Sequence, residues 1–361
     1  MEMVRSDRLW AKFLEANGYR LDKCVGQGSF GDVYAVTSIE NDQQWAVKRL
    51  VARRNIQEDS YVMGEINALA SIQHPMVVSL HEVLFTPRLA CLVMDLAPDG
   101  NLEMFVLNGK QMKVNTSSTR NPYCECEYNV KPDRRKLRNG DNTRAIITRP
   151  ECVLLQTTIR TTINAEAKRG SFISPHPTGE DRNNCACYTS SPLKPAFLIS
   201  TFTQVTSAVS FCHSMDLAHR DINPSNVLIF NKNLVKLADF GLCFRACRES
   251  NAQKSIGSEF KCTDYLGNNH YLAPEVRRCE PFLALPADVW SLGCLLYFML
   301  QANHPPIGNS NLTERIDMSN VLSQVTEDSL RDKCRQTLFE VCRSTVSERP
   351  KARDVLTLWN T

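Results

Sequence analysis

Two short stretches hold the side chains best suited to chemistry. The first is His219-Arg220-Asp221-Ile222-Asn223-Pro224-Ser225-Asn226, and the second is Asp239-Phe240-Gly241. Between them, Val227 to Ala238 is strand-like, with apolar residues at Val227, Leu228, Ile229, Leu234, Val235 and Leu237. That pattern predicts a hairpin, which returns the carboxylate of Asp239 beside the amide of Asn226. Such oxygen donors suit a hard cation that keeps several waters, which is how Mg²⁺ is usually held against phosphates. Asp221 is left over to accept the proton of an attacking hydroxyl.

A second group lies far upstream. Gly26-Gln27-Gly28-Ser29-Phe30-Gly31 is followed by Asp32-Val33-Tyr34-Ala35-Val36. Three glycines at this spacing also occur in dinucleotide-binding folds, where the last one opens a helix. The β-formers that follow here favour a strand–turn–strand hairpin instead. Glycine lets its backbone come close to phosphates, and Phe30 could cover the tip. Trp45-Ala46-Val47-Lys48 reads as the next strand. A helix over roughly Glu58 to Ile72 ends before His74-Pro75 and carries Glu65. Glu65 is the expected ion-pair partner of Lys48, with Glu58 as its rival.

Taken in order, these residues resemble the glycine-rich loop, the paired lysine and glutamate, the catalytic loop and the Asp-Phe-Gly segment of eukaryotic protein kinases. Pro224 and Ser225 look more like the serine/threonine group. The resemblance implies an α+β, bilobal protein-kinase fold, with a small antiparallel β-rich N-lobe holding one key helix and a larger, mainly helical C-lobe. It implies ATP and Mg²⁺ as cofactors and a protein hydroxyl as substrate. Asp221 becomes the catalytic base, Asn226 and Asp239 the metal ligands, and Lys48, fixed by Glu65, the contact to the α- and β-phosphates. Gly26, Gly28 and Gly31 would cover the phosphates, with Val33 and Ala46 above the adenine and Leu228 below it. Met94 becomes the gatekeeper, the backbones of Asp95 and Ala97 bond the adenine edge, and Asn101 takes the ribose position. Asp288 would bond the catalytic-loop backbone, Glu275 and Arg349 would pair, and Leu69, Leu80, His219 and Phe240 would stack between the lobes. Gly241 would let the backbone switch.

Two departures stand out from that pattern. Asn223 replaces the lysine that serine/threonine kinases direct at the transferred phosphate, and losing one such contact typically costs about 10²–10³ in rate. Counting back from Ala273-Pro274-Glu275, Asn268 replaces the threonine that bonds that lysine. Two side-chain amides can pair donor to acceptor, so Asn223 and Asn268 are expected to hydrogen-bond. Arg220 normally pairs with a phosphothreonine, and here the matching position is Asp264, with Thr263 beside it. Either Asp264 serves as a fixed anion or Thr263 is the regulated residue. Family members that favour basic substrates carry acids at the positions of Asn101, Ser225 and Phe298; none is acidic here.

The elements that must position these groups follow from the wider chain. A helical flap is expected over 1–18, with Leu9, Trp10, Phe13 and Leu14 on one side. The N-lobe then spans 19–94, the hinge and first helix 95–105, and the C-lobe 197–361. Between them 106–196 is a polar insert of roughly ninety residues, far beyond a usual helix connection. Its Cys124, Cys126, Cys152, Cys185 and Cys187 are imperfectly spaced for zinc. Its basic run Lys131 to Arg138 reads as a solvated loop or an import or docking patch, and Val153 to Leu155 with Ile159 to Ile163 as a short hairpin. With 361 residues, 43% hydrophobic content and a formal charge of +3, one large core is feasible and no nucleic-acid partner is demanded. The 15 cysteines are scattered, the N-terminus lacks an apolar signal region, and the longest apolar run, Leu292 to Leu300, is too short to span a bilayer. A soluble intracellular protein, cytoplasmic and/or nuclear, is therefore expected. Two rival functions remain: a pseudokinase that binds nucleotide and acts as a scaffold, and a metal- or nucleic-acid-binding module built on the insert.

Overall fold

The computed structural model describes residues 5–28, 31–51, 56–86, 88–111, 143–145, 193–231, 233–245 and 262–360. Helix α1 (Arg5–Ala16) leads into β1 (Tyr19–Gly28), β2 (Gly31–Ser38) and β3 (Gln44–Val51). Helix α2 (Ser60–Ser71) follows, then β4 (Leu80–Thr86) and β5 (Leu89–Asp95). The five strands form an antiparallel sheet in the order β1-β2-β3-β5-β4. Strand alternation sorts β3 by face: Ala46 and Lys48 line a cleft, while Val47 joins an outer cluster. That cluster joins Trp10 and Leu14 of α1 to Tyr19, Val36, Leu84, Cys91 and Val93, so α1 covers the outside of the sheet. Leu9, grouped with that apolar face above, is 61% exposed. Trp10, Leu14 and Asn17 set the direction of the buried stripe, and Leu9 falls at its margin.

Helix α2 begins on Asp59, whose carboxylate accepts from the Val62 N–H at 3.3 Å. It buries Val62, Met63, Ile66 and Leu69 together with Glu65, an acid on an otherwise apolar face. Such a group needs a cation, because an unpaired buried carboxylate is costly.

Past the hinge, α3 (Leu102–Gln111) runs further than the expected start of the insert at 106. Within the insert, β6 (Thr143–Ala145) pairs antiparallel with β4, opposite Val83, Leu84 and Phe85. It occupies the backbone donors and acceptors that an edge strand leaves open. The insert's cysteines, its basic run, its expected hairpin and Phe30 all lie outside the described residues.

The C-lobe is built on α4 (Pro195–Ser214) and α6 (Ala284–Gln301), with α5 (Pro274–Arg277) between them in sequence and α7 (Leu312–Arg315), α8 (Met318–Leu322), α9 (Asp328–Val341) and α10 (Ala352–Asn360) after them. By length and composition α4 and α6 could each cross a bilayer. Both are instead core helices, and α6 buries residues on every side, from Ala287 and Trp290 to Leu296 and Phe298. Short β7 (Leu217–Ala218) precedes the catalytic-loop residues and pairs with β10 (Phe244–Arg245). The expected hairpin is β8 (Val227–Asn231) with β9 (Leu234–Leu237).

Candidate functional site

The β8–β9 hairpin closes where the Ala238 N–H donates to the Asn226 carbonyl at 2.9 Å, which sets Asn226 next to Asp239. Register does the same in the sheet: Val33 pairs with Lys48 and Ala46 with Met94, so all four share the cleft face. The cleft holds about 410 Å³. Gly26, Gly31, Val33, Ala46, Lys48, Glu65, Met94, Asp95, Ala97, Asn101, Asp221, Asn226, Leu228 and Asp239 all line it. Val25 and Leu96, which carried no weight in the sequence, also contribute to its walls, as does Ser225. A hollow of about 530 Å³ around His270 and His304 has none of the phosphate-directed groups.

Lys48 is the centre of charge. Its ammonium lies 2.6 Å from Glu65 Oε1 and 2.8 Å from Asp239 Oδ1, and the lysine is only 4% exposed. Burial pushes Lys48 toward neutrality, but the charges of Glu65 and Asp239 outweigh it and raise its pKa. For Asp239, burial acts upward but is overcome by Lys48, and by the Gly241 N–H at 3.2 Å, so its pKa is lowered. Glu65 is raised by its own burial, which Lys48 only partly offsets. At 2.6 Å from an ammonium that stays charged, Glu65 is the ionised partner of the pair.

Asp221 is held from several directions. Its Oδ2 accepts from Asn226 Nδ2 at 2.8 Å and its Oδ1 from the Asn268 N–H at 3.1 Å. Beneath it, Asp288 is 1% exposed and accepts from the N–H groups of His219 and Arg220, each at 2.8 Å. These bonds support Arg220 at φ 68, a left-handed conformation that costs a non-glycine residue energy; Asp239 shares it at φ 63. Gly31 has a different constraint, since a Cβ there would lie 2.4 Å from the Arg49 carbonyl oxygen at φ 133. Only glycine fits that turn. Gly28 ends β1 opposite Gly31.

Oxygen chemistry supports a cation site. Asn226 spends its Nδ2 on Asp221, and Asp239 spends its Oδ1 on Lys48 and Gly241. Asn226 Oδ1 and Asp239 Oδ2 are left as neighbouring donors, a set that fits Mg²⁺ shared with phosphates and water.

The expected bond between Asn223 and Asn268 is absent. Asn223 Nδ2 donates to the Asp221 carbonyl at 3.2 Å, and its Oδ1 accepts from the Ser225 N–H at 3.0 Å and the Ser225 hydroxyl at 2.5 Å. Asn268 Oδ1 accepts from the His270 N–H at 3.1 Å. Each amide folds onto its own loop, because a short side chain reaches the backbone two residues on more readily than a partner across a gap. The two loops meet at Asp221 instead.

On the activation side, Arg220 reaches the Asp264 carboxylate at 3.7 Å and its carbonyl at 3.3 Å, while Thr263 is exposed. Glu275 and Arg349 form a bidentate pair with both bonds at 2.7 Å, almost wholly buried. His219 and Phe240 are in ring contact at 4.6 Å. Asn101 accepts from the Met104 N–H at 2.8 Å, capping α3. Sequence reasoning missed the clamp on the hinge, where Asp95 pairs with Lys236 of β9 at 2.6 Å and accepts from the Ser79 N–H at 3.1 Å. A lone lysine on a hairpin carried no signal for it.

Residues 19–358 match the family described as protein tyrosine and serine/threonine kinase. Among curated proteins, CBL-interacting serine/threonine-protein kinase 18 of Arabidopsis thaliana is 25% identical over 81% of this chain and 40% of its own length. The SNF-related serine/threonine-protein kinase of Homo sapiens is 22% identical over 93% of this chain and 32% of its own. Testis-specific serine/threonine-protein kinase 1 of Mus musculus is 29% identical over 43% of this chain. The chain thus spans well under half the length of the first two.

Proposed function

The chain belongs to the protein tyrosine and serine/threonine kinase family, and from that premise we propose that it transfers the γ-phosphoryl group of ATP to a serine or threonine hydroxyl of a protein. One observation carries the reading: Lys48 bridges Glu65 and Asp239 across the cleft, within the same wall system that holds Asp221 and Asn226. Val33, Ala46 and Leu228 form an apolar slot for the adenine, and the hinge residues Asp95 and Ala97 line the same cleft. Lys48 orients the α- and β-phosphates. Mg²⁺ at Asn226 and Asp239 neutralises charge on the transferred group when bound. Asp221 takes the hydroxyl proton as the oxygen bonds to phosphorus and the bond to ADP breaks. An ion pair from Arg220 to Asp264 stands in for the usual phosphothreonine, so residues 262–264 are tied to the catalytic loop without modification of Thr263. Free thiols at all nine described cysteines agree with an intracellular, cytoplasmic and/or nuclear setting.

A scaffold that binds nucleotide without transfer is the second reading, favoured by Asn223, whose amide is spent inside its own loop. The separating experiment is phosphoryl transfer from radiolabelled ATP to a generic protein acceptor, comparing wild type with Asp221→Asn. Loss of a positioned base should cost about 10²–10⁴ in rate with nucleotide binding retained. Wild-type protein that binds nucleotide and transfers nothing selects the scaffold.

A further inference from the structure

Helix α1 lies outside the cleft, yet one of its side chains connects to the phosphate-covering turn. The indole of Trp10 is 5% exposed, stacked on Phe13 at 5.8 Å and tilted against Tyr34 at 5.5 Å. The Arg49 guanidinium faces both rings, 5.4 Å from Trp10 and 5.3 Å from Tyr34. The same guanidinium pairs with Asp32 at 2.6 Å. Asp32 immediately follows Gly31, and Gly31 packs on the Arg49 carbonyl. Arg49 in turn follows Lys48, pointing to the opposite face of β3.

We propose that Trp10 is a positioning residue for the nucleotide's phosphates, acting through Arg49 on Asp32 and the root of the glycine-rich turn. The inference rests on the kinase reading of the cleft. Its physical basis is charge and restraint. Asp32 sits between Gly31 and Val33 of the cleft lining, close enough for its carboxylate to repel a bound triphosphate unless a cation neutralises it, and Arg49 does so. Aromatic faces hold the guanidinium against Asp32, since a cation over a ring is attracted to its electron-rich face. The indole Nε1 has no hydrogen-bond partner among the described residues. The contribution of Trp10 therefore lies in its ring, which phenylalanine can replace.

Isothermal titration of a non-hydrolysable ATP analogue with Mg²⁺, and separately of adenosine, tests this on the full chain. Trp10→Ala should weaken the ATP analogue by about 3- to 30-fold, the range expected for a partly desolvated cation–π contact, and leave adenosine unchanged. Trp10→Phe should bind both ligands as wild type does. Arg49→Gln should reproduce the selective loss, and adding Trp10→Ala to it should weaken binding no further. Equal weakening of both ligands, no weakening of either, or additive losses in the double variant would overturn the proposal. Wild-type protein that binds neither ligand would remove the kinase reading and this inference with it.

Discussion

Replacing Asn223 with alanine discriminates between two jobs for this residue. Asn223 is 2% exposed and makes three contacts within its loop: to the Asp221 carbonyl, the Ser225 N–H and the Ser225 hydroxyl. Two of those partners have substitutes. The Asp221 carbonyl keeps Asn226 Nδ2 at 2.9 Å, and the hydroxyl of Ser225 can rotate. The Ser225 N–H has none, so the variant uncaps the short helical turn Pro224–Asn226 and orphans that half-buried donor, one loss worth about 2 kcal/mol. A loss of about 2 kcal/mol should lower Tm by roughly 3 °C in a protein of this size. Because the same loop carries Asp221, kcat should fall by about tenfold or more through misplacement of the base. Calorimetric melting and radiolabelled transfer at saturating ATP read the two effects together. If instead the amide serves the transferred phosphate as lysine does elsewhere, rate falls while Tm stays within about 1 °C. That pattern would refute the capping argument.

Two further outcomes follow from buried and exposed charge. Arg349→Met leaves Glu275 without its cation inside the C-lobe, which should cost about 3–5 kcal/mol in urea unfolding; pairing it with Glu275→Gln should restore much of the loss. A single-variant cost below about 1 kcal/mol would mean that the pair is not a structural tie. The Arg220–Asp264 contact is different, because Asp264 is 55% exposed at its side chain and exposed pairs contribute little. Asp264→Asn should therefore reduce transfer only several-fold, and phosphatase treatment should leave wild type active. Activity abolished by phosphatase would assign control to Thr263.

The linear order of residues already contained the N-lobe sheet, the β8–β9 hairpin and the types of group around the phosphates. Period-2 alternation, the glycine spacing and the run between Asn226 and Asp239 are local features, and local features survive without a partner. The helix carrying Glu65 was legible for the same reason: apolar periodicity with a proline stop. Pairings across the chain were another matter. Lys48 and Asp239 are 191 positions apart, and only their resemblance to a known order suggested that they meet. Asn223 and Asn268 show the limit most clearly. Their matching chemistry allowed a mutual bond, but each found a closer backbone partner, and Asp221 became the junction. Likewise the apolar stripe of α1 announced a flap packed on the first lobe without saying which side chains it would meet, and nothing linear joined Trp10 to Arg49 or Asp95 to Lys236. Residue type sets which contacts are possible; distances of a few tenths of an ångström decide which of them form, and packing alone sets those distances.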